Sequence, residues 1–382
     1  MGANWPDQKM YKAELNTDEE FCAMQQDSLP TFQPSRLPIR LPSKCRFHKS
    51  LEKAKAVIDQ FNDLLAKHPI AKELTAFLSV EEAIDSLGSQ HIKASIEDVL
   101  IDSIIGKKTE REPVLDYLRA YKKALKQIRK SSIGHPFFFE MHASIKGLPK
   151  SKRRYRSFQN WIGPEGGPAE KAYFFPPAPA TVASYMSNLI MYWKKKEKEP
   201  LIQLAILFAQ LLIIHPFMDG NGRIARLSIP LFLFQKGEIK EPILFLSRYF
   251  KRHRLAYFQN LFAITSDGRW DLWIQFFLKG VHEQGVRDLK ILKGLHLLYT
   301  TLHNLLSLQW PLKKTQQVLF FLFQHPIFIR EISLPKLGRS QREIDLTIAY
   351  LRKKKILKLI QRQGRSFLIF IPLLAKKKPR KS

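Results

Sequence analysis

The amino-acid sequence predicts a mostly α-helical chain with a small β-hairpin in its middle and a second one near its end. Apolar residues recur at spacings of three and four over most of the chain, the signature of helices with one buried stripe. Residues 151–180 break that rhythm with aromatic residues grouped around glycines and prolines. Beyond residue 312 the pattern changes again, to two helices followed by two short alternating runs.

Taken in order, residues 1–35 read as a flexible polar tail, followed by prolines at Pro38 and Pro42. Residues 36–125 form an N-terminal helical region. Leu51, Ala54, Val57, Ile58, Phe61, Leu64 and Leu65 make one stripe, and Leu115, Leu118, Ala120, Tyr121 and Ala124 make another behind Pro113, a residue suited to a first helical turn. Residues 126–295 form the next domain. In it Tyr155, Phe158, Trp161 and Ile162, then Tyr173, Phe174 and Phe175, read as two strands around a Gly/Pro turn that Pro176 and Pro177 stop. Helices are expected over 181–196, from Pro200 to just before His215, over 224–234, and near 248–264 and 270–285. Residues 313–372 form the last domain: helices over 318–323 and 329–337, a turn at Gly338 and Arg339 with Ser340 as N-cap, a basic helix over 342–355, and strands over 356–359 and 367–371. Helix-turn-helix and then a hairpin is a winged-helix pattern. Residues 373–382 are a basic tail, and the sequence contains no internal repeat.

Composition bounds the function. With 45% hydrophobic and 12% aromatic residues in 382, the chain has the material for two or three folded domains and is not a disordered protein. The net charge is +29, and residues 312–382 hold eighteen Lys and Arg against three Asp and Glu. Such a field suits nucleic acid, nucleotide phosphates or an acidic membrane surface, and equally suits a protein whose charge serves solubility alone. Cys22 and Cys45 have neither a Cys-x-x-Cys pattern nor metal-ligand spacing, which points to a reducing, cytoplasmic setting. The first twenty residues lack the apolar core of a secretion leader, and Pro6 in place of Ser or Thr argues against acylation at Gly2. The longest apolar stretch, 201–214, is too short to span a membrane and contains Gln203 and Gln210.

The chemistry concentrates in residues 215–226. Gly220 and Gly222 allow positive φ and close approach of a ligand to the backbone. A helix starts here, so its first N–H groups have no intrahelical partner and form an anion site with the helix dipole. Arg223 and Arg226, three residues apart, share a helix face above that site, and arginine pairs with phosphate oxygens bidentately. Asp219 offers a hard oxygen ligand for Mg²⁺, and His215, at the helix exit, is a base that works near neutral pH. Phe217, between polar neighbours, reads as the anchor of the loop. Each feature alone is commonplace; all of them within twelve residues are not.

Residues 215–226 resemble the motif of the Fic family, His-x-Phe-x-(Asp/Glu)-Gly-Asn-Gly-Arg-x-x-Arg, which stands here complete. The segment from Tyr155 and Arg156 through Gln159, Asn160, Trp161, Ile162 and Gly163 to Pro177 resembles the family's flap, and residues 246–250, with Tyr249, and 270–278 are similar to family segments downstream. The resemblance implies a Fic helical core with a hairpin flap, and a winged helix like those appended to many such proteins. It also implies an activity: transfer of AMP from ATP to a Ser, Thr or Tyr hydroxyl of a target protein. His215 would be the general base and Asp219 the Mg²⁺ ligand. Gly220, Asn221, Gly222, Arg223 and Arg226 would bind the phosphates, with Tyr249 assigned to the nucleotide site. Trp161, Ile162 and Gly163 would dock the target.

One departure stands out. Relatives with an N-terminal extension usually carry an inhibitory helix, (Ser/Thr)-x-x-x-Glu-(Gly/Asn), whose Glu pairs with the second motif arginine. In the register set by Glu82-Ala83-Ile84 and by residues 95–100, Ser86 is kept and Gln90 replaces the Glu. A neutral amide cannot form that ion pair, so autoinhibition is expected to be weak or absent. The rival register, with Glu97 as the brake, puts Lys93 where Ser or Thr should stand.

Two other readings stay open from sequence. One is a nucleic-acid-binding regulator using Arg339, Arg342, residues 352–355 and the tail, with the Fic body as a sensor; a winged helix also docks proteins. The other keeps the fold and changes the group moved to UMP, GMP, phosphate or phosphocholine. The basic tail at 376–381 resembles a nuclear import signal, which would matter for a protein delivered into a host cell, and is otherwise a solvated tail. Family members often dimerise; the sequence leaves homodimerisation undecided.

Overall fold

The structure, a computed structural model, describes residues 31–41, 47–87, 94–106, 109–130, 133–149, 152–163, 167–329, 340–362 and 364–375. Four helices form the N-terminal part: α1 (His48–Ala66), α2 (Ala71–Leu87), α3 (Ile96–Ile105) and α4 (Glu112–Ile128). The middle holds α5 (His135–Lys146), α6 (Pro179–Lys194), α7 (Pro200–Ile214), α8 (Asn221–Gln235), α9 (Ser247–Arg252) and α10 (Arg254–Asp267). Next come α11 (Trp270–Ser307), α12 (Leu312–Gln324), β1 (Ile327–Phe328), α13 (Gln341–Lys353), β2 (Leu357–Arg362), β3 (Arg365–Phe370) and α14 (Ile371–Ala375).

Helices α7 and α8 lie at the centre because their residues are apolar on nearly every side; Leu204 to Leu211 are all buried, and so are Leu227 to Leu233. Pro200 and Pro179 sit in the first turns of α7 and α6, where the missing N–H costs nothing. Around this pair pack α5, α6, α4 and the first half of α11, whose Trp273 indole donates to the Ala205 carbonyl at 2.7 Å.

Helix α11 runs well past residue 285, where the sequence pattern ends the expected helix. Its second half carries Leu289, Leu292, Leu295, Tyr299, Leu302 and Leu306 as one buried stripe. At 1.5 Å per residue its 38 residues span about 57 Å, long enough to pack on α1 and α8's neighbours at one end and on α12 at the other.

The C-terminal sheet has the order β1-β3-β2, both pairings antiparallel. Ser340 caps α13, its hydroxyl accepting from the Glu343 amide at 3.3 Å. Helix α3 docks on this sheet: Ile101 joins Ile327, Ile329, Phe367 and Ile369 in a second apolar cluster, and Arg362 pairs with Asp98 at 2.6 Å. Helix α12 packs on α2.

Three sequence expectations are corrected. The helix expected over 329–337 does not include Ile329, which follows strand β1 and is buried in the sheet-side cluster; residues 330–337 lie outside the described residues. The two central strands reduce, among the described residues, to a single antiparallel bridge, Ile162 with Phe174, and a 3₁₀ turn at Ala169–Lys171. Proline segments and the side chains of Arg156 and Gln159, which donate to the Pro177 and Pro176 carbonyls, take the backbone groups that a longer ladder would use. Finally, residues 31–35 of the expected tail are tied down. The Phe32 amide donates to the Phe175 carbonyl at 2.9 Å, Gln33 accepts from the Tyr185 hydroxyl at 2.9 Å, and the Ser35 carbonyl accepts from Gln210 at 2.9 Å. The rest of that tail and the basic terminus lie outside the described residues.

Candidate active site

The loop between α7 and α8 is built from the core outward. His215 caps α7 in the left-handed region (φ 49°), and its amide reaches back to the Leu211 carbonyl at 3.1 Å. Phe217 is 1% exposed, with its ring stacked on His142 of α5 at 4.0 Å between centroids and 13° between planes. Asn221 then locks the turn: its amide oxygen accepts from the Phe217 N–H at 2.9 Å and its amide nitrogen donates to the Phe217 carbonyl at 2.7 Å. Asn160 donates to the same carbonyl at 3.1 Å. Asn221 is therefore a loop clamp, whatever its backbone N–H does for a ligand.

Arg156 is the loop's second brace. It is 5% exposed and pairs with no carboxylate among the described residues; its guanidinium donates to the carbonyls of His215 (2.9 Å), Phe158 (3.3 Å) and Pro177, and its amide donates to the Pro216 carbonyl at 2.9 Å. Burial lowers this guanidinium to about 10, so it stays charged at neutral pH. A buried cation satisfied by carbonyls ties the flap segment to the loop.

The His215 ring is half-buried. Its Nδ1 lies 3.2 Å from the Leu212 carbonyl, which fixes the proton there and leaves Nε2 with the lone pair. Burial lowers the imidazole to about 4, so it is neutral at physiological pH. Gly220 has φ +85°, a conformation that favours glycine, and heads α8, whose first N–H groups have no partner within the helix. At Gly222 a Cβ would stand 3.0 Å from Nη1 of Arg226, so the bare glycine makes room for that guanidinium.

Asp219 gathers cations. Its Oδ2 accepts from Lys146 Nζ at 2.6 Å and from Arg223 Nη2 at 3.0 Å, while Oδ1 accepts from the Gly220 amide. Burial acts to raise its pKa, but Arg223 and Lys146 outweigh it and hold the carboxyl below its usual value. An ionised, partly exposed carboxylate facing a helix N-terminus fits Mg²⁺, which takes one or two carboxylates and completes its shell with phosphate oxygens. Among the described residues there is no group of three or more metal-type side chains, so such an ion would lean on phosphate and water for its remaining ligands.

Arg226 points away from Asp219. Its Nε donates to the Ser86 hydroxyl at 2.8 Å and its Nη2 to the Ser86 carbonyl at 2.9 Å, at the C-terminal end of α2. Next to them lies Glu82, 4% exposed, which accepts from the Tyr117 hydroxyl at 2.8 Å and from Ser247. Burial raises Glu82 to about 7 against the pull of those hydrogen bonds and of Arg226. Gln90 and Lys93 lie outside the described residues; Glu97 sits in the first turn of α3, behind the Ser95 capping box.

Tyr249 lies in α9. It is buried, its ring fills the space over Gly280, and its hydroxyl donates to the Phe276 carbonyl at 3.2 Å. The geometry gives it a packing place in α9. Trp161, Ile162 and Gly163 are half-buried beside the Ile162–Phe174 bridge, with the Trp161 indole donating to the Gly167 carbonyl at 3.3 Å. Lys146, His142 and Glu82 were missed as site residues. They lie outside the twelve-residue motif; Glu82 entered the sequence reading only as a register mark, and no local pattern sets Lys146 or His142 apart.

No helix among the described residues is long and apolar enough to cross a membrane. In shape the chain is similar to a Fic family protein from Desulfovibrio desulfuricans G20, with a TM-score of 0.53 at 16% identity, over 89% of this chain and 98% of that one. In sequence it is 25% identical over 179 residues to a "probable protein adenylyltransferase" of Aquifex aeolicus, covering 44% of this chain and 52% of the relative. It is 31% identical over 104 residues to a protein adenylyltransferase of Caenorhabditis briggsae, covering 26% of this chain and 18% of the relative. The chain thus matches about half the length of the first curated relative and under a fifth of the second. The Fic/DOC family profile matches residues 135–233, from the start of α5 to the end of the buried part of α8, and that segment of the chain is a Fic/DOC family domain.

Proposed function

We propose that this chain is a protein adenylyltransferase, moving AMP from ATP onto a Ser, Thr or Tyr hydroxyl of a target protein and releasing pyrophosphate. The observation that carries the reading is the His215 imidazole, with Nδ1–H committed to Leu212, Nε2 left to accept a proton, and the Asp219 charge at the head of α8 acting on the ring. The names of the relatives at 25% and 31% identity support the same chemistry at family level.

In this mechanism Nε2 of His215 takes the proton of the target hydroxyl. The oxygen forms a bond to the α-phosphorus as the bond from that phosphorus to the bridging oxygen breaks, and the electron pair leaves with pyrophosphate. The amides at Gly220, Asn221 and Gly222 and the guanidinium of Arg223 bind phosphate oxygens, and Arg226 reaches the far phosphate once released from Ser86. Asp219 would hold Mg²⁺, which when bound neutralises charge on the α- and β-phosphates. Trp161, Ile162 and Gly163 would pair with the target backbone. The test is intact mass after incubation of the chain and candidate targets with Mg-ATP: a gain of one AMP is expected, and a chain that only hydrolyses ATP, or transfers a different group, would overturn the reading.

The lowered imidazole makes a second prediction. Because burial favours the neutral ring, His215 stays deprotonated as pH falls from 8 to 6 and gains its proton only near pH 4. NMR titration of the nucleotide-free chain, with the resonance assigned by its loss in His215→Asn, should show no inflection near pH 6.5. An inflection there would place the ring in water.

Ser86 bears on regulation. The α2 end already holds Arg226 through a hydroxyl and a carbonyl, a neutral grip in place of an ion pair. Gln90→Glu, which restores the carboxylate of the family's inhibitory motif, should lower self-modification by about tenfold. Unchanged self-modification would place the brake elsewhere.

The C-terminal part, α12 to α14 with its three-stranded sheet, is read as a winged helix. Support comes from α13 preceding the β2–β3 hairpin and from the pairing of β1 at the sheet edge. Arg352, Lys353, Lys354, Lys355, Lys358, Arg362 and Arg365 are exposed there, which favours a second reading in which this part binds a polyanion such as duplex DNA. Retention on duplex DNA that weakens steeply with salt is the expected result for that reading.

A further inference from the structure

Lys146 is the last residue of α5 and lies 73 positions before Asp219 in the chain, outside the loop motif. The fold nevertheless sets its ammonium 2.6 Å from Oδ2 of Asp219. The same oxygen takes Arg223 at 3.0 Å, and Oδ1 takes the Gly220 amide, so Oδ2 is shared by two cations. A divalent ion that binds through Oδ2 competes with these two cations for the oxygen. The Gly220 amide belongs to the turn, and the Arg223 side chain is 7% exposed and wedged in the core. Lys146 is 35% exposed, sits on a flexible four-carbon stem, and makes no other ion pair among the described residues. It is the donor that can leave.

We infer that Lys146 is a positioning residue that holds the metal's place on Asp219 and transfers to the polyphosphate when the ion arrives. A doubly charged ion on Oδ2 repels an ammonium at that distance, while the incoming polyphosphate brings negative charge into the same space. Before the ligands arrive the carboxylate faces two cations, Lys146 and Arg223; afterwards the metal ion and the phosphates join them, and the ammonium's neutralising partner becomes the polyphosphate. It also couples the two ligands, because the ion frees the cation that the nucleotide uses. The inference rests on the reading of Asp219 as metal ligand in a nucleotide site.

The experiment follows Mn²⁺ by the electron paramagnetic resonance of the free ion, using the full chain as wild type, Lys146→Met, Lys146→Arg, Asp219→Asn and the double variant Lys146→Met/Asp219→Asn. Without nucleotide, Lys146→Met should bind Mn²⁺ about tenfold tighter than wild type, since it loses both the competing ion pair and the repulsion. With Mn²⁺ saturating, the same variant should bind a non-hydrolysable ATP analogue about fivefold more weakly, the usual size of one partly exposed charge contact. Lys146→Arg, which keeps the charge, should restore both constants towards wild type; a merely structural lysine would show no such crossing of effects. Unchanged affinity for either ligand in Lys146→Met, with Asp219→Asn binding no Mn²⁺, overturns the role of Lys146 and leaves the functional reading standing. Tight Mn²⁺ binding by the double variant instead removes Asp219 as the ligand, and the underlying reading falls with it.

Discussion

His215→Ala should lower AMP transfer by about 10²–10⁴-fold, the usual share of a general base. The expectation rests on the hydrogen bond from Nδ1 to the Leu212 carbonyl, which leaves Nε2 as the one ring atom able to accept the substrate proton. Alanine also sits at a left-handed position, φ 49°, so part of any loss could come from a shifted loop. His215→Asn removes that ambiguity, because asparagine tolerates the left-handed region but its amide cannot take a proton. Both variants should bind ATP with near wild-type affinity and fail in turnover, measured by intact mass under single-turnover conditions. Full transfer by His215→Asn would take the base role away from this residue.

Phe217→Ala should cost about 3–5 kcal/mol of stability, the range for truncating a fully buried phenylalanine. The ring is 1% exposed, stacks on His142 and lies 5.5 Å from Tyr155, so its loss opens a cavity between α5 and the loop. The Asn221 clamp grips the backbone of the same residue and does not depend on the ring. The loop should therefore keep its local turn and lose its seat. Turnover should fall along with stability, since small displacements of positioned groups are costly. Phe217→Leu refills most of the volume and should recover much of both. The denaturant midpoint and the transfer rate of the two variants check this; an unchanged midpoint for Phe217→Ala would mean that the ring anchors nothing.

Much of the fold was legible from residue order, and for local reasons. The all-round apolarity of residues 201–214 and 227–233 demands burial, and helical spacing with Pro179 and Pro200 marks the helix starts. The loop from His215 to Arg226 was legible because its function needs many particular residues within twelve positions: glycine for positive φ, arginine for phosphate, histidine for a proton. The end of α11 was not, because a buried stripe can continue with polar and β-branched residues between its contacts, and what it packs on, α1 and α12, is far away in sequence. The flap strands were overread because alternation of aromatics predicts burial and not pairing; Arg156 and Gln159 take up the Pro177 and Pro176 carbonyls instead.

By itself the sequence determined the helical class, the place of the reactive loop and the residue types that could do chemistry there, since those depend on spacing and local backbone freedom. Only the tertiary structure decided which distant groups face the loop. It brought Lys146 and His142 from α5, Arg156 from the flap and Ser86 from α2 to the two sides of one turn. The physical reason is that a hydrogen bond or ion pair acts over about 3 Å, and nothing in the order of a chain says which residues 60 to 140 positions apart will come that close.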